Sequence, residues 1–300
     1  LAKDPTQRYS DAYEVADALS RATGQPVPEE SRAIRESFLA AARFVGRDAE
    51  MAQLTGALQQ AAEGKGSAWL VGGESGVGKS RLLDELRTRA LVAGATVVRG
   101  QTVEHGGAPY QLWREPLRRL ALMVGIDDLA AGVVKPLAPD LPGLLGRDIP
   151  DPPELEGLAA RQRLHLALAE ICWTAARACS PLVLLLEDLH WMSAGIEPLK
   201  ILTRGLAGLP LLVIGTYSSE ERPDMPAECA TMTPLHLGPL APGSIAELAL
   251  SMLGAAGARP QVLDLLQRET EGNALFLVET VRTLAEKAGR LQEVADIPLP

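Results

Sequence analysis

The stretch WLVGGESGVGKSR, which spans Trp69–Arg81, places a glycine-rich loop directly after a short apolar run. From Gly73 to Ser80 it satisfies the pattern GxxxxGK[ST], and leucines at helical spacing follow it. A strand before the pattern and a helix after it are the context in which such a loop binds phosphate. Glycines are needed because backbone N–H groups must wrap the anion in conformations that a side chain would obstruct. The stretch therefore predicts a phosphate-binding loop (the phosphate loop), and a plain glycine-rich turn is the alternative.

The residues at the end of this loop have predictable roles. The helix that begins near Lys79 turns its positive end toward the phosphates. Lys79 would reach the β- and γ-phosphates as a point charge, and Ser80 would offer its hydroxyl to Mg²⁺. The predicted nucleotide-binding residues of the loop are Gly73, Glu74, Ser75, Gly76, Val77, Gly78, Lys79, Ser80 and Arg81.

A second apolar run, LVLLLEDLHW, leads into two acids, Glu187 and Asp188. Since a buried strand emerges at the carboxyl edge of its sheet, both acids are predicted to lie in the ligand crevice. Glu187 is placed to hold Mg²⁺ through water, and Asp188 to orient or deprotonate an attacking water. With Lys79 they are the candidate catalytic residues, and a strand that simply ends in acids is the alternative. His190 is interpreted as a structural hydrogen-bonding residue and Trp191 as part of the core.

Apolar strands alternate with helical segments along most of the chain, the strands being AWLV, ATVVRG, LVLLLED and PLLVIGTYS. Strands that are apolar throughout belong to parallel sheets covered on both faces. The prediction is a doubly wound P-loop α/β fold at 43–240, with a helical insertion at about 103–180 and the start of a helical lid at 241–300. Ser244 and Glu247 are predicted to form a capping box on the first lid helix.

Composition limits the classes of function. The 300 residues carry a formal net charge of -9, which argues against a nucleic-acid-binding surface on this segment. Three cysteines without a CxxC pair and four scattered histidines indicate neither a zinc site nor a disulfide framework, and a reducing cytoplasm is expected. The apolar runs are too short to cross a bilayer, so no membrane partner is expected. Because the chain starts at Leu1 without a methionine and ends abruptly at Pro300, we expect it to be cut from a longer protein.

Several segments, taken in order, carry a resemblance to a known family: FVGRDAEMAQL, the phosphate loop, LLLEDLHWMS, LLVIGTYSSEE and EGNALFLVET. They resemble the AAA-type signalling ATPases of the STAND class, the AAA-16-like modules of bacterial regulators, over residues 43–290. In that family the turn that is matched here by Val45, Gly46 and Arg47 lies against the adenine. The resemblance therefore implies ATP as the nucleotide.

The amino-terminal segment LAKDPTQRYSDAYEVADAL, within residues 1–24, resembles the last helices of a bacterial serine/threonine protein kinase. Arg8 matches the arginine that pairs with the activation-segment glutamate of such kinases. The glycine loop, the catalytic loop and the DFG segment do not occur in the sequence, so this segment cannot itself phosphorylate a protein. The resemblance implies a parent protein in which a kinase precedes the ATPase, and 25–42 is predicted to be a linker.

Three positions depart from the family's pattern. Ser218 stands where the family has an arginine thought to sense the γ-phosphate, and a serine cannot deliver a charged fork to a phosphate oxygen. Arg222 and Arg204 are the candidates to supply the missing charge, within the chain or from a neighbouring subunit. Ala274 replaces the proline that helps the lid to pack near the nucleotide, and Glu187 replaces the more frequent aspartate.

These patterns predict a cytoplasmic, nucleotide-operated switch, in which ATP and Mg²⁺ hold the core against the lid and slow hydrolysis releases it. Two alternatives stay open: a nucleotide-binding scaffold without useful hydrolysis, and the ATPase part of a transcription regulator. The expected partners are effector domains in the same longer chain, a kinase before and an unidentified one after, without direct nucleic-acid contact in this segment. The sequence leaves open whether the protein forms a homo-oligomer on activation.

Overall fold

The computed structural model describes residues 43–103, 108–179, 181–192 and 195–287, the side chains of 285–287 excepted. The kinase-like segment at 1–24, the predicted linker at 25–42 and the last residues of the predicted lid lie outside these ranges. The chain from Phe44 onward groups into one unit by its contacts.

A five-stranded sheet lies at the centre of this unit, and its neighbouring strands are all paired in parallel. The strands are β1 Ser67–Gly73, β2 Thr96–Gln101, β3 Leu182–Glu187, β4 Leu211–Ser218 and β5 Thr233–His236. Their order is β2-β3-β4-β1-β5. The chain therefore leaves β1 for the far edge at β2, returns strand by strand to β4 beside β1, and places β5 on the other side. The predicted α/β fold with a parallel sheet is confirmed.

Helices join the strands and follow the last one. Within the described residues they are α1 Asp48–Ala62, α2 Lys79–Val92, α3 Gln111–Val124, α4 Asp128–Val134, α5 Leu141–Leu145, α6 Gly157–Ala178, α7 Ile196–Arg204, α8 Met225–Glu228, α9 Pro242–Leu253, α10 Pro260–Thr270 and α11 Ala274–Lys287. Helices α3 to α6 lie between β2 and β3, in the segment where a helical insertion is predicted. Helices α9 to α11 lie in the segment where the start of a helical lid is predicted, and they are called here the lid helices.

Both faces of the sheet are covered. Successive residues of a strand point to opposite faces, so Leu70 of β1 belongs to one apolar cluster and Val71 to the other. Helices α1 and α2 contribute to the cluster of Val71, while α3 to α7 contribute to the cluster of Leu70. Every residue of β3 and of β4 is buried, which is why their sequences are apolar nearly throughout instead of alternating.

The first lid helix begins earlier than the sequence indicated. Helix α9 starts at Pro242, with Ala241 as its N-cap and without a side-chain cap. The predicted capping box of Ser244 and Glu247 is therefore wrong. Proline suits the first helical position because the N–H that it lacks would have no partner there. Ser244 lies in the first turn instead, and its Oγ fills the space beside Gly46, where an added Cβ would come within 2.3 Å of it.

Within the described part of the chain, no helix combines the length and the apolar character needed to cross a membrane.

Candidate nucleotide-binding site

The phosphate loop connects the carboxyl end of β1 to the amino end of α2. Gly73 ends the strand, Gly78 is the N-cap of the helix, and Lys79 begins it. Gly76 and Gly78 have φ angles of +78° and +107°, a left-handed backbone that favours glycine. No side chain caps α2, so the N–H groups of its first turn are left to an anion. The structure thus supplies the strand, loop and helix that the sequence pattern requires.

The other predicted loop residues occupy distinct positions around this turn. Glu74, Ser75 and Ser80 are exposed, Val77 is buried beneath the loop, and Arg81 is half-buried in the first turn of α2. The structure therefore brings the predicted loop residues together in one turn.

Lys79 folds back over the loop. Its Nζ donates hydrogen bonds of 2.8 Å to the carbonyl oxygens of Gly73 and Glu74. Burial lowers the pKa of Lys79, and the nearby carboxylates, Asp188 foremost, act in the opposite direction. The amine is thus held at the mouth of the loop by two neutral acceptors, which a phosphate oxygen can replace with a stronger charged one.

Glu187 is fully buried at the end of β3. It forms an ion pair with the Nε of Arg99, a residue of β2. Burial, the largest effect, raises the pKa of Glu187, whereas Arg99 and the hydroxyl of Ser80 lower it. Neither carboxylate oxygen accepts a hydrogen bond of good geometry. A buried carboxylate with free acceptor capacity therefore lies close to the hydroxyl of Ser80.

This pair of oxygen groups fits Mg²⁺. The cation takes oxygen ligands, keeps several waters and is usually held by one or two protein groups together with substrate phosphates. Among the described residues, no three or more His, Cys, Asp or Glu side chains cluster in a way that could hold a metal ion. Ser80 and Glu187 would therefore hold Mg²⁺ together with a nucleotide rather than as a site of their own.

Asp188 follows in a strained position, with a left-handed φ of +59°. Its N–H donates to Thr216 Oγ1 at 3.1 Å, and the hydroxyl of Thr102 donates to its carbonyl oxygen. Its carboxylate accepts a hydrogen bond of 2.9 Å from Gln101 Nε2 at the end of β2. The bond ties the carboxylate to β2, the strand on the other side of β3 from β4 and β1, while its charge still acts on the ammonium of Lys79.

Ser218 lies beside Gly73 in the pairing of β4 with β1, and it is buried. Its N–H donates to His190 Nδ1 at 3.1 Å, and its Oγ accepts the N–H of Glu221 at 3.5 Å. The hydroxyl of Ser218 thus forms a hydrogen bond within the turn that follows β4. His190 is the structural hydrogen-bonding residue that the sequence indicated. Trp191, expected in the core, is only half-buried and donates Nε1 to Glu221 at 2.9 Å.

The two candidate replacement arginines differ in position: Arg222 lies in the turn after β4 but is paired with acids, whereas Arg204 lies far from the phosphate loop of its own chain. Arg222 donates from Nη2 to Glu228 at 2.5 Å, and its Nε lies 3.7 Å from Asp224 Oδ1. Arg204 ends α7, and the residues that follow it lie against Gly66, just before β1. That is the edge of the sheet opposite to the phosphate loop.

The turn formed by Val45, Gly46 and Arg47 adjoins the loop. Arg47 is buried, and its Nη2 donates to the carbonyl oxygens of Val77 at 3.2 Å and Gly238 at 2.5 Å. The guanidinium therefore links the turn, the phosphate loop and the segment after β5. Contact of this turn with adenine stays a prediction.

The last helix also reaches the phosphate loop. Asn273 Nδ2 donates to the carbonyl oxygen of Ser75 at 2.8 Å, and the N–H of Leu275 donates to that of Gly76 at 3.0 Å. Asn273 Oδ1 accepts the N–H groups of Leu275 and Phe276 at 3.1 and 3.4 Å, which caps α11. One side chain therefore caps a lid helix and holds the loop.

Sequence reasoning missed the roles of Arg99, Gln101 and Asn273. Arg99 and Gln101 lie at the carboxyl end of β2, the strand beside β3, and polar residues at that edge of a parallel sheet face the ligand crevice. Asn273 follows a glycine at the start of a helical pattern, which is an N-cap signature. These signals are in the sequence, but the strand order is needed to use the first of them.

The parallel sheet, the phosphate loop and the acids at the end of β3 define a P-loop nucleotide-binding protein. The family described as AAA ATPase domain matches residues 43–214, more than half of the chain. The chain belongs to this family of nucleotide-binding P-loop proteins. A comparison with curated proteins found no match.

Solved structures share the fold at low sequence identity. The Aeropyrum pernix ORC1 protein, solved in complex with DNA, is 19% identical with a TM-score of 0.50, and the match covers 84% of this chain and 63% of that one. A chain of the E. coli MS115-1 HORMA:CdnC:Trip13 complex is 12% identical with a TM-score of 0.51, covering 91% and 94%. A chain of Drosophila ORC bound to DNA is 13% identical with a TM-score of 0.50, covering 94% and 72%. These likenesses support the fold.

Proposed function

We propose that the chain is an ATP-binding switch module, with slow hydrolysis, of a longer bacterial signalling protein of the STAND class. The observation that carries the proposal is the double contact of α11 with the phosphate loop, through Asn273 to Ser75 and through Leu275 to Gly76. A ligand that changes the conformation of the loop therefore changes these two hydrogen bonds. The position of the lid helices then depends on the nucleotide, which is what a switch requires.

The residues of the loop have separate tasks in this proposal. The amide groups of the loop and of the first turn of α2 bind the phosphates, and Lys79 exchanges its two carbonyl partners for phosphate oxygens. Ser80 and Glu187 would hold Mg²⁺, which would supply positive charge beside the phosphates. Asp188 orients the attacking water once its carboxylate has turned away from Gln101.

Slow turnover follows from the charges near the γ-phosphate. A cation that stabilises the transferred phosphoryl group is worth on the order of a thousandfold or more in rate. Ser218 supplies none, and Arg222 is paired with Glu228 and Asp224. Arg204 of a neighbouring copy is the remaining candidate that the sequence suggested, so we propose that assembly, where it occurs, accelerates hydrolysis.

The missing positive charge at Ser218 favours a second candidate function, a nucleotide-binding scaffold without useful hydrolysis. Ser218 is buried and its hydroxyl is engaged by the N–H of Glu221, so no substitute charge enters from this turn. In both cases we propose that the parent protein carries effector domains, a serine/threonine kinase before this module among them. An ATPase part of a transcription regulator is the alternative parent.

Calorimetric titration with ATP, ADP and GTP, with and without Mg²⁺, tests binding. We expect ATP and ADP to bind, ATP to depend on Mg²⁺, and Lys79→Ala to abolish binding. Lys65→Ala is the matched control, because Lys65 is an exposed lysine paired with Glu63 before β1. Wild-type protein that binds no nucleotide would contradict the proposal.

Phosphate release separates the two candidates. With Lys79→Ala as the blank, release above background supports the switch with hydrolysis, and none supports the scaffold. Ser218→Arg adds the missing charge, and a large rate increase is expected if that charge is limiting. An unchanged rate would show that the arginine is not what slows the protein.

A further inference from the structure

Two exposed acids follow β4 at the mouth of the phosphate loop. They are Glu220 and Glu221, in a turn that spans Ser218–Arg222 and is called here the acidic turn. The turn is tied to the loop at its start, since the N–H of Ser219 donates to the carbonyl oxygen of Gly73 at 3.2 Å. Both acids are therefore fixed close to the place where phosphates bind.

Glu220 takes a donor of the phosphate loop for itself. Its Oε2 accepts the N–H of Ser75 at 3.4 Å. Backbone N–H groups of such a loop are the donors that hold phosphate oxygens. The carboxylate of Glu220 therefore occupies a backbone N–H group that is otherwise available to a phosphate oxygen.

Glu221 is held by other contacts, which stabilise the turn. It accepts the indole N–H of Trp191 at 2.9 Å, and its Oε1 lies 3.5 Å from His190 Nε2. His190 Nδ1 in turn accepts the N–H of Ser218 at 3.1 Å. These contacts hold the backbone of the turn beside the loop. Glu220 can therefore move away from Ser75 only by rotating its own side chain.

The negative charge of the acidic turn acts at the reactive end of the site. Glu220 and Glu221 both act electrostatically on the ammonium of Lys79, together with Asp188. Lys79 is the residue that reaches the β- and γ-phosphates in a loop of this type. The two acids therefore act on the lysine that serves the terminal phosphates in loops of this type.

We propose that Glu220 is a specificity-determining residue that opposes the γ-phosphate and so shifts the protein toward a nucleoside diphosphate. A triphosphate must displace its carboxylate from the Ser75 N–H and then bear the repulsion of like charges. A nucleoside diphosphate has no γ-phosphate. It therefore displaces the carboxylate less and is repelled less by its charge. The inference rests on the proposed binding of ATP and ADP by the phosphate loop.

The test is the ratio of the dissociation constants for ATP and ADP, measured by calorimetry on the whole 300-residue chain in excess Mg²⁺ and again in EDTA. Glu220→Gln keeps the shape of the side chain and removes its charge. We expect the ratio to shift toward ATP by about fivefold, as one like charge a few ångströms away in a partly wet site implies. At high salt the shift should shrink, because the interaction is screened.

Glu63→Gln is the matched control. Glu63 is an exposed glutamate paired with Lys65, ahead of β1 and so at the opposite edge of the sheet. Its substitution should leave the ratio unchanged, and thermal unfolding should show that both variants are folded, since both positions are exposed.

The outcomes separate this inference from the proposed function. If wild-type protein binds both nucleotides and Glu220→Gln leaves the ratio unchanged, Glu220 is not a specificity determinant, while the proposed function stands. If the variant binds ATP less tightly only when Mg²⁺ is present, Glu220 assists the metal, and the inference is overturned. If wild-type protein binds neither nucleotide, the proposed function and this inference fail together.

Discussion

The pairing of Arg99 with Glu187 shows how a single residue can keep a charge inside the fold. Glu187 has no exposed surface, while the side chain of Arg99 is 38% exposed and also donates to Asp84 at 3.0 Å. Burial alone would favour the neutral acid. The guanidinium of Arg99 and the hydroxyl of Ser80 act against this effect of burial and favour the carboxylate where Mg²⁺ is expected.

Removing the cation from this pair should destabilise the protein. For Arg99→Met we expect the free energy of unfolding to fall by about 1–3 kcal/mol, because the carboxylate of Glu187 is left buried without its partner. Glu187→Gln should cost less, since Arg99 can still reach Asp84 and water. Urea unfolding of both variants measures the two changes.

The double variant is the control for this interpretation. If the pair is responsible, Arg99→Met combined with Glu187→Gln should cost less than the sum of the single changes. Additive costs would show that the two side chains contribute independently.

Gln101 restrains the other acid of the site. Its amide donates to the Asp188 carboxylate at 2.9 Å from the end of β2, the neighbour of β3. In Gln101→Ala the carboxylate is released, so we expect the rate of proposed hydrolysis to rise several-fold in single-turnover assays. The affinity for ATP should stay within about twofold, because Gln101 makes no phosphate contact in this proposal.

Thr88→Ala serves as the comparison for Gln101→Ala. Thr88 is an exposed residue of α2 whose hydroxyl donates to the carbonyl oxygen of Asp84 in its own helix, and its change should affect neither rate nor affinity. A lower rate in Gln101→Ala would mean that Gln101 holds Asp188 in its working orientation.

At the scale of elements, the cap of α11 combines two roles that substitution can separate. In Asn273→Ala both are lost, and we expect a cost of about 1–2 kcal/mol, as for other N-caps. In Asn273→Asp the oxygen that accepts the N–H groups of Leu275 and Phe276 remains, but the donor to the carbonyl oxygen of Ser75 is gone.

Hydrogen exchange distinguishes the two variants. The amides of Leu275 and Phe276 should exchange faster in Asn273→Ala than in Asn273→Asp, whereas coupling of nucleotide binding to α11 should weaken in both. If Asn273→Asp behaved as the wild-type chain in nucleotide-dependent exchange, the bond to Ser75 would have no part in the switch.

The boundaries of the lid show what local sequence signals omit. The pattern of Ser244 and Glu247 satisfied the capping rule, but Pro242 begins the helix and Ser244 packs against Gly46. Ala274 stands where the resemblance to the family predicts a proline, yet its Cβ lies 4.0 Å from the position of a Cβ on Gly78. In both cases the position of the lid residue depends on a contact with a residue about 200 positions away in the sequence. Local sequence patterns do not contain such contacts.

At the scale of the whole molecule, buried thiols predict a loss of stability in alkali. Burial raises the pKa of Cys172 to about 12 and that of Cys229 to about 11. An unfolded chain loses these protons near pH 8.5. Below that pH both states keep them, whereas above it only the unfolded state gives them up, so the free energy of unfolding falls as the pH rises toward 12.

Urea midpoints at pH 8, 9 and 10 check this expectation. Cys172→Ala and Cys229→Ala should each show a smaller decline than the wild-type chain, with each variant compared with its own value at pH 8. The comparison of each variant with its own value at pH 8 removes the cost of the cavity, and the difference between its decline and that of the wild-type chain removes the contributions of other groups. An equally steep decline in both variants would show that the thiols are not responsible.

The sequence was sufficient for the fold because the decisive signals are local. The phosphate loop is a contiguous pattern, and apolar strands such as LVLLLED indicate a parallel sheet without reference to distant residues. The candidate site could be predicted in part: Lys79 and Ser80 follow from the loop pattern, and Glu187 and Asp188 follow from the end of an apolar strand. The direction of the Asp188 side chain could not, because it depends on Gln101, and neighbouring strands are known only from the topology.

The bond between Asn273 and Ser75 joins residues that are 198 positions apart, and this separation has a consequence for synthesis on the ribosome. Chains are made at about 5–20 residues per second, so the loop waits roughly 10–40 s for its partner. During that interval the nascent loop lacks the contact with α11. The contact on which the proposed switch depends can therefore form for the first time only after the last helix has emerged.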